Sequence, residues 1–158
     1  MEKVTFRFAE RKDVPLVLEF IKGLAEYEKA PDAVVATEEL LEEWIFDKER
    51  AEVLFLEELG KPAGFALFFQ SFATYRGKGG IYLDDLFIKP EYRRKGYGKA
   101  MLKKLAEITV ERGGERIEWI CLNWNPSFDF YLSMGGQPLN TCTTFRLEGE
   151  NLKHMASE

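Results

Sequence analysis

The stretch from Ile81 to Ala100, IYLDDLFIKPEYRRKGYGKA, concentrates the residue types that can hold and transform a ligand. A strand-like apolar sequence ends at Ile88, a short loop follows, and Gly96 and Gly98 lead into a helical pattern. Glycines at such a turn let backbone approach a ligand closely. The free N–H groups of a first helical turn, reinforced by the helix dipole, can hold a pyrophosphate. Arg93, Arg94, Lys95 and Lys99 surround that turn with positive charge. Two other phosphate loops fail on spacing. A dinucleotide fingerprint needs a third glycine where Met101 stands; a P-loop needs Ser or Thr where Ala100 stands and glycine in place of Arg93. On mechanics alone, the segment reads equally as a phosphate site and as a glycine-containing turn with ordinary surface bases. Just upstream, Asp84 and Asp85 are adjacent on a strand. They point to opposite faces, so one of them faces a site unless a bulge intervenes.

Hydrophobic periodicity supplies the elements that must position these residues. Residues 4–8 alternate as a strand. Asp13 can cap a helix with Pro15 in its first turn and Val14, Val17, Leu18, Ile21, Leu24 and Ala25 on its apolar face. Ala30-Pro31-Asp32 ends it. Thr37 caps a second helix, with Leu40, Leu41, Trp44 and Ile45 facing inward. Residues 51–59 and 63–72 read as strands joined by a turn at Gly60-Lys61-Pro62, and residues 71–80 as a mobile loop. Residues 81–88 are a strand and 98–112 a helix that Gly113-Gly114 terminates. A strand over 116–122 follows, then a short helix opened by Asn125-Pro126 and stopped at Gly135-Gly136. Residues 141–147 form a last strand. Hairpins in the middle and crossovers afterwards predict an α/β fold, a mixed sheet with helices on both faces, in one domain spanning 1–158.

Composition narrows the class. Of 158 residues, 46% are apolar and 31% charged, ordinary values for a soluble globular protein. The 22 Lys and Arg against 27 Asp and Glu leave a net charge of −5, which argues against non-specific nucleic-acid binding. The single histidine, His154, argues against a zinc site or a Ser-His-Asp triad, and no metal is expected. Cys121 and Cys142 form no CxxC pair, which suits a reducing compartment. No run approaches 18 consecutive apolar residues, and MEKVTFRFAERKD lacks the apolar core of a signal peptide. A cytoplasmic protein without a membrane span is expected.

Arg93-x-x-Gly96-x-Gly98 after an apolar strand resembles the acetyl-CoA signature of the GNAT (GCN5-related) N-acetyltransferases. Leu24-Ala-Glu-Tyr-Glu28, Tyr82-Leu-Asp-Asp-Leu-Phe87, Glu91-Tyr-Arg93, Trp124-Asn125, Phe130-Tyr131 and Phe145-Arg-Leu147 are similar, in order, to the spermidine/spermine (diamine) branch. The resemblance implies a mostly antiparallel central sheet flanked by helices and acetyl-CoA as co-substrate. Leu86, Phe87 and Ile88 would lend backbone to the pantetheine arm. Arg93, Arg94, Lys95, Gly96, Tyr97, Gly98 and Lys99 would form the pyrophosphate loop, and Asn125 and Ser127 a second cofactor contact. Tyr131 matches the tyrosine beside the cofactor sulfur. Tyr27, Glu28, Asp84 and Asp85 match residues of the amine site, with Phe145 near it. Three departures stand out: the spacing from Asn125 to Tyr131 is one residue short, Asp84 replaces a glutamate, and Phe145 and Thr143 replace a tryptophan and an acidic residue.

The implied chemistry needs a neutral amine. With a reference pKa near 10.4, freeing an alkylammonium at pH 7 costs about 4.6 kcal/mol, which a carboxylate such as Asp84 can offset by taking the proton. Tyr131 could return a proton to the departing thiolate, a phenol near 10 against a thiol near 8.5. The expected activity is acetyl transfer to a small cationic amine, a diamine, polyamine or lysine-like amino acid, by direct attack in a ternary complex. The family habit implies a homodimer. A peptide or protein acceptor, and a non-catalytic acetyl-CoA-binding regulatory module, remain alternative readings.

Overall fold

The computed structural model describes residues 4–158. In chain order the elements are β1 (Val4–Phe8), α1 (Val14–Tyr27), α2 (Glu38–Leu41), β2 (Glu52–Glu58), β3 (Lys61–Ala73), β4 (Lys78–Ile88), α3 (Tyr97–Glu111), β5 (Ile117–Trp119), α4 (Ser127–Ser133) and α5 (Gly149–Ser157). The chain divides into a larger compact unit ending at Ile120 and a smaller one over Cys121–Glu158. Among the described residues no helix is long and apolar enough to cross a membrane.

The larger unit is built on one sheet of order β1-β2-β3-β4-β5. Its first four strands are antiparallel neighbours, and β5 runs parallel to β4. This is the expected mixed sheet. On one face α1 seats Val17 and Phe20 on Val53, Phe55, Phe65 and Phe87, with Ile45 alongside. Phe20 stacks on Phe65 at 5.1 Å and meets Phe87 edge-on at 6.4 Å. The alternate residues of β2 and β3 (Leu54, Leu56, Ala66 and Phe68) are buried too, as are Met101, Leu102, Leu105 and Ile108 of α3. Strand alternation thus gives this sheet two apolar faces, each covered by helix.

Five expectations change. The β2–β3 turn is Leu59-Gly60, at φ 50° and 79°. Positive φ at both central residues is the type I′ geometry whose twist suits a tight hairpin. Lys61 and Pro62 are therefore in β3. Residues 71–80 are no loop: Ser71, Phe72 and Ala73 pair with Gly80, Gly79 and Lys78, and only Thr74–Gly77 turn. The second helix starts as read, with the Leu40 N–H donating to the Thr37 hydroxyl at 3.2 Å. It then widens into a π-helical segment, Glu42–Asp47, with Lys48 N–H bonded to the Glu43 carbonyl. The wider turn carries the apolar face around, so Ile45 is buried while Trp44 is exposed; Leu40, before the widening, is exposed as well. Lys48 covers the Trp44 ring at 4.0 Å.

In the smaller unit α4 forms as expected, but 141–147 is not a strand. An alternating sequence becomes a strand only with a neighbour to pair with, and no ladder partner for it exists among the described residues. Phe145 is consequently 92% exposed. The strand expected over 116–122 is confined to β5's three residues.

Candidate active site

The site is built around the end of β4. Pairing with β5 covers only Ile81, Tyr82 and Leu83. Beyond Leu83, β4 has no strand neighbour on its β5 side among the described residues. On its other side the ladder to β3 continues, with Leu86, Phe87 and Ile88 opposite Ala66, Phe65 and Gly64. A side chain at position 64 would strike Ile88 and come within 2.9 Å of the Phe87 carbonyl oxygen, so glycine lets the strands close there. Over residues 86–88 the strand is thereby held along one edge by β3 and has no strand along the other among the described residues.

The β3–β4 register slips at the carboxylates. Leu67 faces Asp85 and Phe68 faces Leu83, which leaves Asp84 as the extra residue of a β-bulge. Strict alternation across the pair is lost. Asp84 is exposed, whereas Asp85 is mostly covered. Burial pushes the Asp85 carboxyl up to about 7, with the negative charges of Asp84 and then Glu28 adding to it. Glu28, at the end of α1, is raised as well, first by burial and then by Asp84. The Tyr82 phenol is raised by burial, Asp84 and Glu118. Glu28, Asp84 and Asp85 therefore share one negative field, in a place where a cation would relieve their repulsion.

The loop after β4 is anchored by side chains expected to face the cofactor. The Arg93 guanidinium lies over Tyr27 at 4.7 Å and over Phe87 at 5.4 Å, and its Nε donates to the Ile88 carbonyl at 2.9 Å. Arg93 thus ties the loop to β4 and to the end of α1. Tyr27 lies beneath it, 6.4 Å from the Phe87 ring. Lys95 and Tyr97 both donate to the Glu58 carboxylate. Arg94 and Lys99 are exposed and make no ion pair among the described residues. Arg94 and Gly96 adopt left-handed backbone, φ 63° and 80°. Ala100 N–H donates to the Gly96 carbonyl at 3.0 Å, so the amides of Gly98 and Lys99 precede the first amide that donates within the helix. The space a side chain would take at Gly96 is open to 4 Å. An open, glycine-lined helix start with two uncommitted cations fits a pyrophosphate.

In the smaller unit the Asn125 side chain accepts from Ser127 N–H at 2.9 Å, and its carbonyl accepts from Phe128 N–H at 3.1 Å, which starts α4. Tyr131 is half-buried on α4, its ring 5.4 Å from Phe130. Phe145 lies on the irregular segment, and its exposure gives no support to a pocket-lining ring. Sequence reading missed Glu58. It sits at the end of an alternating strand, and its partners stand 37 and 39 residues away, beyond any local signal.

The model of the acetyltransferase (GNAT) family matches residues 19–135. The chain is 33% identical to thialysine N-epsilon-acetyltransferase of Bos taurus, an alignment covering all of both proteins. It is 31% identical to human spermidine/spermine N(1)-acetyltransferase-like protein 1, over all of this chain and 24% of that one. The structure of the Vibrio cholerae integron cassette protein VCH_CASS6 matches with a TM-score of 0.82 and 28% identity, covering 98% of each chain. With the family's signature at the start of α3 and its mixed sheet in place, this chain belongs to the acetyltransferase (GNAT) family and is an acetyltransferase.

Proposed function

We propose that the enzyme moves acetyl from acetyl-CoA, the donor its family uses, to a primary amine of a small cationic acceptor. Lysine-like amino acids and diamines are the favoured class, with polyamines beside them. The observation that carries this reading is the shared field of Glu28, Asp84 and Asp85 at the β4 bulge. A carboxyl near 7 is matched to accept a proton at neutral pH. Sequence alone pointed to Asp84 as that base. The exposure pattern favours Asp85 as the proton acceptor, directly or through a water, with Asp84 and Glu28 holding a second positive charge. The relative named for thialysine supports a short, lysine-like acceptor.

The remaining roles follow the same reading. Amides at the start of α3, with Arg94 and Lys99, hold the pyrophosphate, and the open edge of Leu86, Phe87 and Ile88 receives the pantetheine arm. Asn125 and Ser127 add a second cofactor contact. Tyr131 protonates the departing thiolate. Amine and thioester are held together in one ternary complex, where proximity supplies much of the acceleration. Residues 1–158 act as one catalytic domain; the family match over residues 19–135 reaches into both compact units, which supports this. A cytoplasmic homodimer completes the proposal.

The test is kcat/KM for a diamine and a lysine analogue against a matched monoamine, at low and moderate salt. One further charge–carboxylate contact predicts about tenfold or more in favour of the dication, shrinking as salt rises. Equal values at low salt would overturn the acidic-pocket reading and bring a peptide or protein acceptor forward.

A further inference from the structure

We infer that Glu58 is a positioning residue for acetyl-CoA binding, holding the pyrophosphate loop in shape from the neighbouring hairpin. This rests on the reading that residues 94–99 carry the pyrophosphate. Glu58 is the last residue of β2, paired with Lys61 across the tight Leu59-Gly60 turn and with Val4 of β1. Its position is thus fixed on both edges by the sheet, and its side chain is only 12% exposed. One carboxylate oxygen, Oε1, accepts from Lys95 Nζ at 2.8 Å and from the Tyr97 hydroxyl. These two donors flank Gly96, the left-handed residue from which α3 starts, and Arg94 beside them is left-handed as well. Left-handed backbone at a non-glycine residue persists only where its surroundings over-determine it. A carboxylate gripping both sides of Gly96 supplies that constraint.

Electrostatics sharpens the assignment. A carboxylate this close to an anion site repels the ligand and neutralises Lys95, so the charge of Glu58 does nothing favourable for the ligand directly. Its contribution is geometric. Arg94 and Lys99 are left as the loop's available cations, and the amides are set by the sheet rather than assembled when the ligand arrives. Preorganisation of this kind lowers the ordering cost of binding.

The experiment compares wild type with Glu58→Ala, Glu58→Gln and Tyr97→Phe. CoA affinity is measured by calorimetry. Steady-state rates are measured with acetyl-CoA and with S-acetylpantetheine, which lacks the pyrophosphate. Glu58→Ala is expected to raise Kd for CoA and KM for acetyl-CoA about tenfold, the loss of one charge-assisted hydrogen bond, with kcat within about twofold. Its kcat/KM with S-acetylpantetheine should equal that of wild type. Glu58→Gln, which keeps an acceptor for Tyr97 at nearly unchanged shape, should lie between, and it carries the comparison if the alanine variant does not fold. Equal losses with both donors would overturn the inference in favour of a general structural role. Tighter CoA binding would overturn it in favour of a repulsive charge. If wild type uses both donors with equal efficiency, the pyrophosphate reading itself fails, independently of what Glu58 does.

Discussion

Replacing Asp85 by asparagine separates what this residue does for the reaction from what it costs the fold. Burial, Asp84 and Glu28 lift the carboxyl from 3.8 to about 7. Below pH 3.8 the group is protonated both folded and unfolded, and it adds no pH-dependent term. Between 3.8 and 7 the folded protein keeps the proton while the unfolded chain releases it, so folding loses stability as pH rises. Above 7 the whole penalty is in force. At 1.36 kcal/mol per pH unit it reaches about 4 kcal/mol as an upper bound, which water near the exposed Asp84 reduces. Asp85→Asn removes the charge at almost constant shape. We expect it to stabilise the protein by about 1–2 kcal/mol at pH 8 and to leave it little changed at pH 4. The same substitution should lower the single-turnover rate at pH 7.5 by about 10²–10⁴-fold, the range for a lost general base. In wild type that rate should rise with pH through an inflection near 7. Urea unfolding at the two pH values and a rapid-mix acetylation assay read both quantities. A variant no more stable than wild type at pH 8 would remove the buried-charge argument. A rate within fivefold of wild type would remove Asp85 from the chemistry.

Two further outcomes are expected. Tyr131→Phe should slow single-turnover chemistry by about 10²–10⁴-fold with CoA affinity nearly unchanged, and a small loss would reduce Tyr131 to a packing residue of α4. Gly64→Ala should destabilise the fold by about 1–3 kcal/mol, because its methyl group meets the Phe87 carbonyl at 2.9 Å, and should raise KM for acetyl-CoA as Ile88 moves. Thermal unfolding and initial rates at varied acetyl-CoA measure the two effects.

Much of the scaffold was legible because it rests on local rules. Thr37 and Asn125 cap the helices they were read to cap. The helix after Gly96 and the core strands follow their periodicity closely. Misreadings cluster where distant partners decide. Leu59 enters a left-handed turn that its own side chain disfavours, because β2 and β3 close around it. Phe72 and Gly79 pair across a hairpin that composition presents as a loop. A π-helical segment put Trp44 out of phase, and 3.6-residue periodicity has no means to anticipate it. At the site, motif spacing located the loop and the carboxylates. Spacing could not assign the Arg93 side chain to Tyr27 and Phe87, nor decide between Asp84 and Asp85. Both depend on the bulge and on groups brought from α1.

The parting of β4 from β5 after Leu83 divides labour within single residues. Phe87 sends its ring into the core and its carbonyl toward β3, while the strand that carries it has no strand partner on its other edge among the described residues. Any extended, amide-bearing arm laid along that edge would be read as a strand is read, through carbonyls and N–H groups that every amino acid shares. On the proposed reading, the side chains of residues 86–88 serve packing, and the course of the main chain is what would meet the ligand. A donor site of that kind would tolerate side-chain change, and acceptor preference would rest on the bulge and the end of α1. The three-residue pairing of β5 is thus what leaves that edge without a strand beyond Leu83.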